Sequence, residues 1–376
     1  MLARGVTSAE AHIAAAALKQ LRALLRGSGD DAASKLQAIQ LEARSRSAGA
    51  AYLWLLLAQT QLELEQPLAA CRSWHRAVLT GALPFDSGLL AALEIASERD
   101  WLALSAHLNK LRSEYLRDAY ADLRQALAPR ELFRIDRAVA GYLGEAAVFS
   151  SHPTQRPKVI FVPGLSGYGF LEPSAHPLVA PLLAQTDAMR SDYDQALACG
   201  DGIEPFLGDL GGHTASAYFS GSAAASWDAL FFYRHGQRID ANHRRFPRTS
   251  AALESLDLCR IDHQAPEICY SILRPHSRIE PHHGVTNARV VIHIPLRIPP
   301  GCHLHLTRVG QHHWREGQAL VFDDTFEHSA ENPSGLPRGI LLLDAWHPDL
   351  TEVERVAFRA VIEAITRLEA ADHLAT

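Results

Sequence analysis

The residues whose types and spacing suit chemistry are two histidines, His282 and His328, and an arginine, Arg338, ten positions after the second. The first histidine lies in Glu280-Pro281-His282-His283-Gly284, leaving a strand. The second lies in Phe322-Asp323-Asp324-Thr325-Phe326-Glu327-His328, entering a later one. Two neutral imidazoles can hold a divalent transition metal on one face, and a guanidinium set farther in can take a carboxylate. Each residue also has a plainer reading. With twenty histidines in the chain, any one alone is more often a surface or hydrogen-bonded residue than a ligand. His283 competes with His282, but neighbouring strand residues face opposite sides, so only one can serve. Asp323 and Asp324 are carboxylates near the pair; they either supply oxygen or shape the turn and orient His328 from behind. His276, His303, His305, His312 and His313 have no pattern behind them and read as structural. The basic run Arg234, Arg238, Arg244, Arg245, Arg248 is a solvated face or, functionally, a rim that attracts an acidic substrate.

To converge, these residues need strands. Segments 268–273, 288–298, 303–307, 319–322 and 339–346 read as strands, punctuated by Pro299-Pro300-Gly301 and Trp314-Arg315-Glu316-Gly317. Within 288–298, alternation puts Arg289, Val291 and His293 on one face and Val290, Ile292 and Ile294 on the other. Many short strands between turns predict a jelly roll rather than a parallel sheet. Upstream, 158–162 reads as a strand ending in the glycine-rich turn 163–169, which fits neither a nucleophile elbow nor a P-loop. A helix is expected over 178–197, a Gly/Ala/Ser-rich surface loop over 211–226, an aromatic strand over 227–233, an irregular basic loop over 238–248 and a short helix over 249–256. After Pro348, Thr351 and Glu354 form a capping box that starts a helix running to about 370.

The first 150 residues read differently. Apolar residues recur at helical spacing over 14–25, 36–43, 52–64 and 68–78, with a further pair over 89–96 and 100–127. Trp54, Leu57, Ala58, Ala70, Trp74 and Ala77 fall where a tetratricopeptide-like repeat places large and small residues; the plain alternative is an ordinary all-α domain. The Pro-bearing segment 151–157 separates the two parts. The expectation is therefore an α+β, multidomain chain, with a helical, repeat-like domain over 1–150 and a double-stranded β-helix (jelly-roll) domain over 155–376.

At 376 residues the chain suits two domains. The net charge of −6 gives no reason to expect nucleic acid or an anionic membrane as partner. Five scattered cysteines without metal or redox spacing suggest free thiols in a reducing compartment. No signal peptide or membrane span is evident, so a cytoplasmic location is expected.

Residues 155–350 resemble the aspartyl/asparaginyl β-hydroxylase family of Fe(II)- and 2-oxoglutarate-dependent oxygenases. The resemblance is carried by Pro281-His282-His283-Gly284-Val285-Thr286-Asn287, by His293-Ile294-Pro295-Leu296, by the run 322–328 and by Asp344-Ala345-Trp346-His347-Pro348. It implies Fe(II) held by His282 and His328, with 2-oxoglutarate as co-substrate. Gly284 stands where most related oxygenases carry a third, carboxylate ligand. The distal carboxylate of 2-oxoglutarate would fall to Arg338 and Ser271, and the one at the metal to His293. Two residues before His293 the family commonly places an Arg, where Val291 stands here. Arg289 on the same face could substitute from about 7 Å along the strand. Segment 240–249 lacks the cysteine pair of members working in an oxidising lumen, which agrees with the cytoplasmic expectation. The implied activity is hydroxylation of an unactivated C–H bond in an Asp/Asn side chain of a peptide, or in a small molecule. The alternatives are halogenation at the open position and a non-catalytic adaptor whose helical region binds a protein partner.

Overall fold

The computed structural model describes residues 50–80, 94–206 and 227–369. The helices expected over 14–25 and 36–43, most of 89–96, and the loop over 211–226 lie outside the described residues. Two compact units form, residues 1–121 with 364–376, and residues 122–363.

In the first unit, α1 (Ala50–Glu63) and α2 (Pro67–Thr80) pack through the residues that helical spacing singled out. Trp54, Leu57, Ala58, Ala70, Trp74 and Ala77 are all buried. A third helix, α3 (Glu98–Asp118), is capped by Ser97, whose side chain accepts from the Asp100 amide. It ends well before 127, and a separate short helix spans Ala121–Ala126. The Trp74 indole donates to Asn109 Oδ1 of α3 at 2.9 Å. A second helix pair of the α1–α2 kind is not seen among the described residues.

The second unit is built from strands that alternate between two antiparallel sheets. The larger sheet runs β1 (Phe170–Leu171), β10 (Leu320–Phe322), β7 (Arg289–Arg297), β12 (Arg338–Trp346), β5 (Ile268–Leu273), β3 (Trp227–Arg234) and β2 (Glu204–Pro205). A short β4 (Gln237–Arg238) pairs with β3. The smaller sheet runs β6 (Ser277–His282), β11 (His328–Asn332), β8 (His303–Leu306) and β9 (Gly310–His313). From β5 onward the chain passes back and forth between the sheets, the winding of a jelly roll. The expected alternation in β7 holds. Val290, Ile292 and Ile294 join Leu341 and Leu343 of β12 in the main core, against α5 (Val179–Ala184) and α6 (Thr186–Cys199). Arg289, Val291 and His293 face the cavity between the sheets. The capping box also forms: the Thr351 amide donates to Glu354 Oε2 at 3.0 Å and the Glu354 amide to Thr351 Oγ1 at 3.3 Å, starting α9 (Glu352–Glu369).

Four expectations need correction. The helix over 178–197 is two, broken at Gln185. Segment 238–248 is not irregular, since α7 (Asp240–Arg245) and α8 (Pro247–Glu254) occupy most of it, with Pro247 opening α8. Residues 158–162 form only a single isolated bridge, Ile160 lying parallel to Thr286. Segment 151–157 is no boundary either, because its neighbours on both sides are tied into the sheet unit. The Arg156 amide donates to Thr325 O at 2.8 Å and that of Lys158 to Gly284 O at 3.0 Å. Arg134, on α4 (Phe133–Leu143), donates through Nε to Glu354 Oε1 at 2.7 Å and through Nη2 to Asp349 O at 2.7 Å. The units therefore divide near 121.

Candidate active site

His282 closes β6 and His328 opens β11, and the sheet register sets them directly opposite each other. Their ring centroids lie 4.1 Å apart. Each ring is oriented by a carbonyl two residues back in its own chain: Nδ1 of His282 meets Glu280 O at 2.7 Å, and Nδ1 of His328 meets Phe326 O at 2.9 Å. A carbonyl can only accept, so each proton sits on Nδ1 and each lone pair on Nε2, the tautomer a metal requires. Burial holds the His282 pKa down to about 4 and pushes that of His328 well below the usual imidazole value, the neighbouring His282 adding to the effect. Both rings are therefore neutral at pH 7, as ligands must be. His283 has no place opposite His328 in the register. Among the described residues no group of three or more His, Cys, Asp or Glu side chains has metal-binding geometry, so the pair has no third donor of these types among them.

The cavity holding the pair has a volume of about 400 Å³ and extends inward to Arg338. Arg338 is 2% exposed. Its guanidinium lies 4.9 Å from the centre of the Trp314 ring, and Nη1 is 3.5 Å from Ser271 Oγ. Burial lowers its pKa to about 10, which still leaves it cationic at neutral pH. No Asp or Glu of the described residues forms an ion pair with it, and its Nε has no hydrogen-bond partner. Ser271, itself buried, accepts from the Trp227 indole at 2.8 Å. His293 is forced into one tautomer. The Trp314 indole can only donate, and it reaches His293 Nδ1 at 3.2 Å. The His293 proton is therefore on Nε2, a buried donor with no acceptor among the described residues. Burial, and then Arg338, keep this ring neutral.

The outer end of the cavity is different. Arg289 does not stand free to replace the missing arginine at 291. Its guanidinium is bonded to the Asp344 carboxylate, whose Cα lies across from that of Val291. Asp344 Oδ1 also accepts from the Glu267 amide at 2.8 Å. Glu267 and Asp324 line the same end, and burial raises each pKa to about 7. Asp323 shapes the turn. Oδ1 takes the Thr325 amide at 2.9 Å and the Thr325 hydroxyl, and Oδ2 takes Gln155 Nε2 at 2.7 Å. It does not orient His328, a task left to the Phe326 carbonyl. Trp314, expected only as part of a turn, is the residue most clearly missed. A buried indole N–H needs an acceptor, which was the available signal. The basic run does not form one free rim: Arg234 pairs with Glu204, Arg238 with Asp240 and Glu254, and Arg248 with Asp192.

The fold and this cavity define a jelly-roll protein with two neutral histidines at mid-depth and an unpaired cation below them. The sequence profile of the Aspartyl/Asparaginyl beta-hydroxylase family matches residues 184–348. Aspartate beta-hydroxylase domain-containing protein 2 of Homo sapiens is 34% identical over 137 residues, covering 36% of this chain and 37% of the relative. Aspartate beta-hydroxylase domain-containing protein 1 of Mus musculus is 31% identical over 237 residues, 60% of this chain and 61% of the relative. The Homo sapiens aspartyl/asparaginyl beta-hydroxylase is 33% identical over 139 residues, 36% of this chain and 18% of the relative. The chain thus spans less than two thirds of the length of these relatives. Among solved structures, a Pseudomonas putida prolyl-4-hydroxylase aligns over 43% of this chain and 87% of that one at 13% identity, with a TM-score of 0.27, too slight a likeness to bear on function. Over residues 184–348, a little under half of its length, the chain is thus similar to the aspartyl/asparaginyl β-hydroxylase family.

Proposed function

We propose that the protein is an Fe(II)- and 2-oxoglutarate-dependent oxygenase that hydroxylates an unactivated C–H bond, in an Asp or Asn side chain of a peptide or in a related small molecule. The observation that carries this is Arg338. A guanidinium buried without a counter-ion costs several kcal/mol unless an anion arrives to join it. A dicarboxylate entering the cavity would provide one. Arg338 and the Ser271 hydroxyl suit its far carboxylate, and the unpartnered N–H of His293 suits the near one beside the histidine pair. His282 and His328, neutral and locked with Nε2 available for coordination, fit Fe(II) through borderline nitrogen donors. Iron and 2-oxoglutarate, when bound, would supply the oxidising power for C–H cleavage. The protein's own part is to bind, orient and exclude water, and no side chain here is poised as general acid or base for that step. The similarity of residues 184–348 to a hydroxylase family supports the same reading. The adaptor alternative draws on Val291, whose missing cation Arg289 does not replace because Asp344 holds it.

An anaerobic titration tests the proposal without knowledge of the substrate. Adding 2-oxoglutarate should tighten iron binding and give a visible charge-transfer band. By linkage, iron should tighten 2-oxoglutarate binding by the same factor. No band and no coupling would sink the oxygenase and favour the adaptor.

A further inference from the structure

A metal held by only two imidazoles keeps coordination positions open, and small anions such as halide or azide compete with water for them. Whether an anion fits beside His282 and His328 is decided by Gly284 and Asp324. Gly284 follows His282 by two residues, just past the end of β6, and lines the same cavity. Lacking a side chain, it would by itself leave a hole in the wall beside the pair. That hole is filled from the other side. A β-carbon built on Gly284 would overlap all three carboxylate atoms of Asp324, which reaches over from the turn before His328. The approach is fixed by backbone on both flanks, since the Gly284 amide donates to Asp324 O at 2.6 Å and the Lys158 amide to Gly284 O at 3.0 Å. Asp323 spends its oxygens on Thr325 of the turn and on Gln155, whereas the Asp324 side chain lines the same cavity as both histidines.

We propose that Asp324 is a specificity-determining residue that excludes small anions from the metal position beside Gly284 and so leaves that position to water. The proposal rests on the iron reading of His282 and His328 above. The carboxyl group fills the volume in either protonation state, and when ionised it also repels an incoming anion. A glycine in place of a ligating carboxylate therefore does not make this a halide-accepting site.

The test uses the whole protein, loaded anaerobically with Fe(II) and 2-oxoglutarate and titrated with sodium azide and sodium chloride while the visible band is followed. Wild-type protein should show no anion-dependent shift. Asp324→Ala should bind azide at least about tenfold more tightly, a difference of about 1.4 kcal/mol. Asp324→Asn, which keeps the volume, should behave as wild type. If the alanine protein does not fold, Asp324→Ser shortens the side chain while keeping a polar group, and the same outcome is expected. Equal azide affinity in wild type and the shortened variants overturns the proposal, as does an asparagine variant that admits azide like alanine. A wild-type protein with no iron–2-oxoglutarate band overturns the iron reading and this inference together, and it is recognised before any azide is added.

Discussion

Two arginines face one cavity from opposite ends, and they live in opposite electrostatic circumstances. Arg289, near the outer end, is bonded to Asp344, which in turn is anchored by the Glu267 amide. Arg338, at the inner end, has an aromatic ring, a hydroxyl and no carboxylate. Both are mostly buried. A protein that needed Arg338 only for stability would have supplied it with an acid or replaced it with a hydrophobe, since an unpaired buried cation opposes folding. The difference separates a charge completed within the chain from one that has no counter-ion among the described residues. It also separates a structural ion pair from a binding residue where charge and burial alone would not.

The largest effect belongs to the histidine pair, His282 and His328, in the same cavity as the two arginines. His282→Ala and His328→Ala should each abolish Fe(II) binding and succinate formation, while His283→Ala leaves metal binding nearly intact. Calorimetric titration with Fe(II) reads this directly. If His283→Ala were the inactivating change, the register assigned to β6 would be the wrong one. Next in size is Arg338→Met. It should weaken 2-oxoglutarate binding by roughly two orders of magnitude, because truncating one partner of a buried charge pair costs about 2–5 kcal/mol. The same variant should raise the melting temperature of the ligand-free protein and lose the further stabilisation that 2-oxoglutarate gives wild type. A ligand-free variant less stable than wild type would mean that Arg338 is already paired, and the contrast with Arg289 would break.

Much of the inner end was legible through the family resemblance, which named His282, His328, Arg338, Ser271 and His293, and all five line one cavity. They are polar residues at positions that strand alternation would otherwise fill with apolar ones. A polar cavity of this kind is a defect in the hydrophobic pattern. The same defect hides the strands that carry it. In β6 the chain reads Ser277-Arg278-Ile279-Glu280-Pro281-His282, and only Ile279 gives an apolar inward signal, so the strand that His282 leaves had no readable bounds and the His-rich β9 was not expected. The outer end was far less legible. Arg289 meets Asp344 across 55 residues of chain, and Asp324 fills the space of Gly284 across 40, contacts that no local pattern encodes. The tie between Arg134 and Glu354, 220 residues apart, likewise moved the unit boundary away from a linker that composition had suggested.

Arg289→Met probes the other side of the comparison and should act on folding more than on binding. Removing the guanidinium leaves Asp344 buried without its partner, at a cost of about 3–5 kcal/mol. Chemical denaturation should show a lower midpoint with an unchanged slope. The 2-oxoglutarate affinity of the protein that remains folded should change much less than in Arg338→Met. Should Arg289→Met weaken 2-oxoglutarate binding as strongly as Arg338→Met, then Arg289 does take over from the arginine absent at 291, despite Asp344.

The smallest effect concerns Glu267, the acid behind the Arg289–Asp344 pair. Burial raises its pKa from 4.5 to about 7, so between those values the folded protein keeps a proton that the unfolded chain has lost. Its contribution to stability is thus fully present below about pH 4.5 and is lost as pH rises through 7. Asp324 acts in the same direction. His282, held down to about 4, acts in the opposite one, its stabilisation being lost as pH falls from 6.5 towards 4. The pH profile of the wild-type protein mixes these terms and assigns none of them. A single substitution separates them. The amide side chain introduced by Glu267→Gln stays uncharged at every pH and can still accept the His235 amide, which lies 2.8 Å from the carboxylate in the parent protein. The melting temperature of Glu267→Gln relative to wild type should therefore be higher at pH 8 than at pH 5, in the ligand-free protein at both. An offset that does not depend on pH would mean that Glu267 ionises normally, and that the outer end of the cavity is wetter than its burial implies.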